Sequence, residues 1–199
     1  GRAALQLQWD SSAGEKVDSV RQLAQYRELA GQPGPRQFDA DMAPLASAPR
    51  QIEAEFVFPY LAHAPMEPLN CTVALSDAGA ELWLGTQFPG VDGMAAARVL
   101  GLKPEQVKVN VQMAGGGFGR RGVPSSDYVV EACAIAKAAR SAGLNAPLRM
   151  IWSREDDIQG GYYRPMHLHR ARIGFDERGQ VLAWDHVLVG QSITAGTFF

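Results

Sequence analysis

Met113-Ala114-Gly115-Gly116-Gly117-Phe118-Gly119-Arg120-Arg121 is the stretch on which the reading of this chain turns. Upstream of it, Val107, Val109, Val111 and Met113 alternate with Lys108, Asn110 and Gln112, the period-two pattern of a half-buried strand. Downstream, Ser126 or Asp127 can cap a helix running to about Arg140. A glycine-rich bend therefore joins a strand to a helix. Without a Cβ, such a bend reaches positive φ, and its amides can converge on one point. Successive N–H groups arranged in this way form a concave site for oxyanions and other acceptors. The two arginines add forked donors suited to phosphate, or else lie on a solvated or interdomain face. The same glycines also suit a plain surface loop. The spacing is that of neither a Walker A loop nor a G-x-G-x-x-G fingerprint with its downstream acid, which argues against a nucleotide-binding enzyme.

The rest of the chain is ordinary for a globular protein, at 199 residues, 46% apolar and 20% charged. A net charge of −2 gives no electrostatic case for nucleic acid or an anionic membrane, and no apolar run is long enough to span a bilayer. The two cysteines, Cys71 and Cys133, are too few for an iron–sulfur cluster, and Cys133 sits among alanines like a small core residue. They leave the compartment open between bacterial cytoplasm and periplasm. The start at Gly1, with no methionine and no secretory signal, fits a removed leader or an excised segment.

From the N-terminus, Leu5 to Trp9 alternates like a short strand. Asp18 or Ser19 caps a helix through Arg27 that ends at Gly31. Gln32 to Pro49, with Pro33, Pro35 and Pro44 inside it, reads as an extended connector. Ile52 to Phe58 is a strand. In the segment from Pro59 to Pro68, His63 and Glu67 have a metal-ligand spacing, but Pro65 between them breaks a helix, so a rigid loop packed on the core is the favoured reading. Thr72–Leu75 and Glu81–Gly85 form a hairpin, and Gln87 lies where its second strand opens into a turn, as a functional amide or an ordinary edge residue. A helix from Val91 to Leu100 stops at Gly101, and the alanine-rich helix from Tyr128 to Arg140 stops at Gly143. Leu148–Trp152 is a strand, and Arg154–Asp157 a charged surface turn or short helix. His167 and His169 share a strand face, with no third metal ligand near in sequence, and Val181–Val189 returns antiparallel. The fold expected is α+β: a mostly antiparallel or mixed sheet with about three helices packed on one side of one contiguous core. Residues 1–50 are expected to form an N-terminal helix and connector, and 51–199 a partial cofactor-binding domain.

Several of these stretches, in order, resemble one family. His63-Ala-Pro-Met-Glu67-Pro68, Trp83-Leu-Gly-Thr86-Gln87, Gly115-Gly-Gly-Phe118-Gly119 and Arg164-Pro165 with the following hairpin resemble the molybdenum-binding large subunit of the xanthine oxidase family. Arg120-Arg121 in place of Gly-Lys is similar to the isoquinoline 1-oxidoreductase and bacterial aldehyde dehydrogenase branch. The resemblance implies a molybdopterin cofactor, in its cytosine dinucleotide form, and hydroxylation of an N-heterocycle or aldehyde with water as the oxygen source. It further implies iron–sulfur clusters on a small partner subunit. By the same resemblance, Gln87 donates its side-chain amide to an oxygen on molybdenum. Gly117, Phe118 and Gly119 face the same centre, the latter two through backbone N–H groups, and Arg120 and Arg121 are candidates for the cofactor phosphates, with a solvated or interdomain face as the alternative. No protein side chain ligates the metal directly. The catalytic glutamate and the remainder of the large subunit are expected beyond Phe199, so no catalytic residue is expected within this chain, which alone should neither turn over nor retain cofactor well. A non-catalytic fold fragment or interaction module is the alternative.

Overall fold

The computed structural model describes residues 4–35, 38 and 40–195. In chain order these form α1 (Ser19–Leu29), α2 (Ala43–Ser47), β1 (Arg50–Phe58), β2 (Asn70–Leu75), β3 (Ala80–Leu84), α3 (Pro89–Leu100), β4 (Val107–Val111), α4 (Asp127–Ser141), β5 (Leu148–Ile151), α5 (Arg154–Gln159), β6 (His167–Phe175) and β7 (Val181–Gly190). The elements divide into two compact units. One comprises the chain up to Phe58 together with Met166–Gln191; the other comprises Pro59–Pro165 and the stretch from Ser192. Among the described residues no helix is long and apolar enough to cross a membrane.

The first unit is an antiparallel sheet of order β1-β6-β7. Its helix α1 starts where the sequence places it, because the Asp18 carboxylate accepts from the amides of Val20 and Arg21 at 2.8 and 3.3 Å. Two expectations are corrected in this unit. Leu5–Trp9 is not a strand: among the described residues no neighbouring strand pairs with it, and alternation without a partner ladder does not make one. The proline-rich connector is not extended throughout but contains α2. Pro44 sits in the first turn of that helix, where its missing N–H costs nothing, and Asp41 accepts from the Ala43 amide.

The second unit holds the buried core. Its four-stranded sheet has the order β4-β3-β2-β5. The β2–β3 hairpin is antiparallel, and so is the β2–β5 pair. β3 and β4 run parallel, with α3 as the crossover. This is the mixed sheet that the sequence implies. Leu69, Cys71, Val73, Leu82 and Leu84 meet Tyr128, Val129, Ala132, Cys133 and Ala136 of α4, all fully or almost fully buried. The alanines of α4 explain its close seating, since a helix surfaced with small side chains can approach a sheet more nearly than one carrying leucines. Burial raises both cysteine thiols to about 12, so they are inert packing groups. Leu82→Ala, at the centre of this core, should cost about 2–5 kcal/mol, read as a lowered urea midpoint with an unchanged m-value.

α3 and α4 touch each other and lie on the same side of this sheet. Gly101 ends α3 at φ 78°, the left-handed position that glycine fills without strain. Together these elements bring the end of β3 and the end of β4 to one edge.

Candidate functional site

The site is built where β3 and β4 terminate. Leu84 pairs with Val111, so the chain leaves both strands at the same level. From β3 come Gly85, Thr86 and Gln87; from β4 comes the glycine-rich bend. Three residues of the bend hold positive φ: Gly116 at 104°, Phe118 at 52° and Gly119 at 85°. The value for Phe118 is costly for a side chain with a Cβ, on the order of 1 kcal/mol. Such a conformation persists only where its surroundings fix it.

Arg121 provides that fixation. It has no exposed surface, and its guanidinium bonds diverging acceptors. Nε donates to the Gly116 carbonyl at 2.6 Å, Nη1 to Gly85 at 3.2 Å, and Nη2 to the Glu67 carbonyl and carboxylate at 2.9 Å each. Its own carbonyl accepts from the Gln87 amide at 2.9 Å. Glu67 is the matching partner. Its carboxylate accepts from Gly115 N at 2.8 Å and from the Asn70 side chain at 2.9 Å, and its amide donates to the Gly115 carbonyl at 3.1 Å. A Cβ on Gly115 would lie 2.5 Å from Glu67 Cβ, which is why this position holds a glycine.

Burial acts to raise the Glu67 carboxyl, but the Gly115 and Asn70 donors, with the charges of Arg121 and Arg149, outweigh it and leave it below the ordinary value of 4.5. A carboxyl whose folded value is depressed contributes stability above its unfolded value and loses it as pH falls through the folded one. Glu67→Gln should therefore flatten the acid limb of the stability profile below pH 4.5, measured as urea midpoint against pH.

The structure turns both arginines of the motif inward. Arg120 is 3% exposed and makes a bidentate pair with Asp127 at 3.0 and 2.6 Å. Trp152 and Tyr162 lie against its guanidinium, with ring centroids 5.5 and 6.0 Å away. Its Nε is buried without a partner among the described residues. Both side chains are buried, so neither arginine lies on the solvated face that the sequence also allowed.

Gln87 and Gly117 are brought together, with Phe118 and Gly119 following in the same bend. A Cβ on Gly117 would lie 3.1 Å from Gln87 Oε1, so the glutamine amide rests against the bend. Among the described residues, no acceptor pairs with the amides of Gly117, Phe118 or Gly119. Phe118 is 78% exposed, and Met66 and Met113 stand beside this region at 90% and 98%. The result is an open surface of unpaired donors rimmed by apolar side chains. On the other side of Gln87, the Thr86 hydroxyl donates to the buried Asp92 carboxyl and accepts from Phe88 N, and Tyr128 Oη donates to the Gly85 carbonyl. Burial raises Asp92 above its ordinary value against the Thr86 hydrogen bond, with Asp127 adding to the rise.

A second network supports the bend from below, and the sequence did not reveal it. Asp157, expected on a charged surface turn, is fully buried in α5. Its Oδ1 lies 3.0 Å from His63 Nε2 and its Oδ2 3.3 Å from Arg154 Nη1. Arg154 in turn donates to the carbonyls of Pro65 and Met66 at 2.6 and 2.8 Å. Pro65 is the contact of Gly116: a Cβ there would lie 3.0 Å from the proline Cβ. His63 and Glu67 thus serve two different networks rather than one metal. His169 does meet another histidine, His186 on β7, with Nδ1 and Nε2 3.1 Å apart. Among the described residues, however, no three His, Cys, Asp or Glu side chains are placed to hold a metal ion.

Residues 33–193 match the family described as the molybdopterin cofactor-binding domain. The chain belongs to that family. It is 35% identical over 150 residues to isoquinoline 1-oxidoreductase subunit beta of Brevundimonas diminuta, covering 74% of this chain and 18% of that protein. It is 30% identical over 138 residues to xanthine dehydrogenase 1 of Arabidopsis thaliana, covering 68% of this chain and 10% of that protein. Among solved structures it resembles quinoline 2-oxidoreductase from Pseudomonas putida 86, with a TM-score of 0.58 at 22% identity, covering 73% of this chain and 18% of that one. The fold of this family member is thus that of molybdenum-cofactor-binding domains, and the chain spans less than a fifth of the length of these relatives.

Proposed function

We propose that this domain holds the molybdenum end of a molybdopterin cofactor, within the large subunit of a hydroxylase that oxidises N-heterocycles or aldehydes with water as the oxygen source. The observation that carries this reading is the set of unpaired amides at Gly117, Phe118 and Gly119 sharing a surface with the Gln87 side chain. A surface of unpaired main-chain N–H donors beside a glutamine amide suits a group whose outer atoms are acceptors, and the exposed bend leaves room for one. When bound, the cofactor supplies the two-electron redox centre and a polarised oxygen. The chain's own residues bind and orient. Gln87 would hold the cofactor through its side-chain amide, and Phe118 and Gly119 through their main-chain amides. Gly117 keeps the approach free of a side chain. Donors held in this way need not reorganise during the reaction. Arg120 acts at one remove, since its pairing with Asp127 seats the bend on the start of α4.

The cofactor form proposed is the cytosine dinucleotide. The partners proposed are the remainder of the large subunit, including a catalytic glutamate, and a small subunit whose iron–sulfur clusters take the electrons. The test is elemental analysis of the full-length protein, combined with oxidation of quinoline or an aldehyde in isotopically labelled water. Stoichiometric molybdenum and label in the product are expected. No molybdenum in the full-length protein would replace this reading with that of a non-catalytic fold module.

A further inference from the structure

We infer that Arg121 is a positioning residue that fixes the spacing between the Gln87 side chain and the Gly117–Gly119 amides. The inference deepens the cofactor-binding reading and rests on it. Arg121 is bonded to both halves of the site. Its guanidinium holds Gly116, at the base of the bend, and Gly85, two residues before Gln87. Its carbonyl accepts from the main-chain N–H of Gln87 at 2.9 Å. The third anchor, Glu67, closes the arrangement by bonding both Arg121 and Gly115. Three segments far apart in sequence are therefore set against one another by a single fully buried guanidinium.

The planar fork matters here, beyond the charge. Nε, Nη1 and Nη2 point to three different segments, whereas the single ammonium of a lysine presents its donors from one atom and cannot span the same acceptors. An arginine that ended in solvent or on a phosphate would not be buried among main-chain carbonyls in this way. Reorganising the bend by a fraction of an ångström would leave its amides present but misdirected, and positioning errors of this size reduce rates by large factors.

The experiment uses full-length protein carrying Arg121→Lys and, separately, Glu67→Gln, which keeps the volume but weakens the pair. Hydrogen exchange is followed at Glu67 and Gly115, whose amides belong to the clamp, and at α4 as a control for the fold. Molybdenum content is measured alongside. The expected result for Arg121→Lys is at least about tenfold faster exchange at Gly115 with α4 unchanged, and loss of most of the molybdenum. Glu67→Gln should give a smaller change of the same kind. Faster exchange at Gly115 in a protein whose wild type holds no molybdenum would sink the cofactor reading and leave the positioning role standing. Unchanged exchange at Gly115 in both variants would overturn the positioning role, whatever the molybdenum content. If Arg121→Lys fails to fold, Glu67→Gln decides: exchange at Gly115 and α4 rising together would also overturn it.

Discussion

Gly117→Ala should lower molybdenum retention and turnover of the full-length protein by at least about tenfold while leaving thermal stability almost unchanged. Gly117 is not one of the positive-φ glycines, so alanine fits the backbone. The new Cβ meets only the far end of a flexible side chain, Gln87 Oε1 at 3.1 Å, which can move aside. The fold therefore tolerates the change, but the glutamine amide is displaced from the bend. A stability loss of several kcal/mol, or unchanged cofactor content, would show that the contact between Gln87 and Gly117 is not what shapes the site. The contrast with Gly115→Ala is informative, since there the Cβ meets Glu67 Cβ at 2.5 Å and the clamp itself must yield.

Asp157→Ala should be the most damaging change for the fold around the bend, costing about 3–5 kcal/mol. It removes the partner of the buried His63 ring and of the half-buried Arg154 guanidinium at once and leaves a cavity behind α5. His63, 4% exposed at its side chain, keeps no acceptor for Nε2. Arg154 keeps its bonds to the carbonyls of Pro65 and Met66 but loses the group that orients it. For a domain of this size the thermal midpoint should fall by roughly 6–20 °C, read by calorimetry. Because Pro65 packs on Gly116, the bend should loosen as well, seen as faster proteolysis at Arg120.

Much of the architecture was legible because its signals are local. Asp18 caps α1 by bonding the next two amides it can reach, and a capping carboxylate needs no distant partner. Gly101 stops α3 for a reason contained in its own backbone. The β2–β3 hairpin follows from alternation and a short loop. Leu5–Trp9 was misread because alternation states a preference for an extended chain, whereas a strand needs a neighbour. The Gly117–Gly119 and Gln87 segments were legible as ordered motifs, but their meeting depends on parallel pairing of β3 and β4, which no local pattern encodes. The burial of the arginines was not legible for a related reason. A guanidinium suits phosphate and buried carbonyls equally well, and only the arrival of Glu67 and Gly85 around Arg121, and of Asp127 beside Arg120, decides between them. Asp157 looked like a surface charge because its neighbours Glu155 and Asp156 are acidic too, and its partner His63 lies 94 residues away.

The parallel course of β3 and β4 also separates two jobs within the sheet. Their incoming ends, at Ala80 and Val107, lie about 13 Å from the outgoing ends at Leu84 and Val111. The link through Gly101 and Lys103 belongs to the far edge, where chain length can vary without disturbing the outlet of either strand. At the outlet, a single added residue after either strand would shift one donor set against the other, so that edge is the one with no freedom in length.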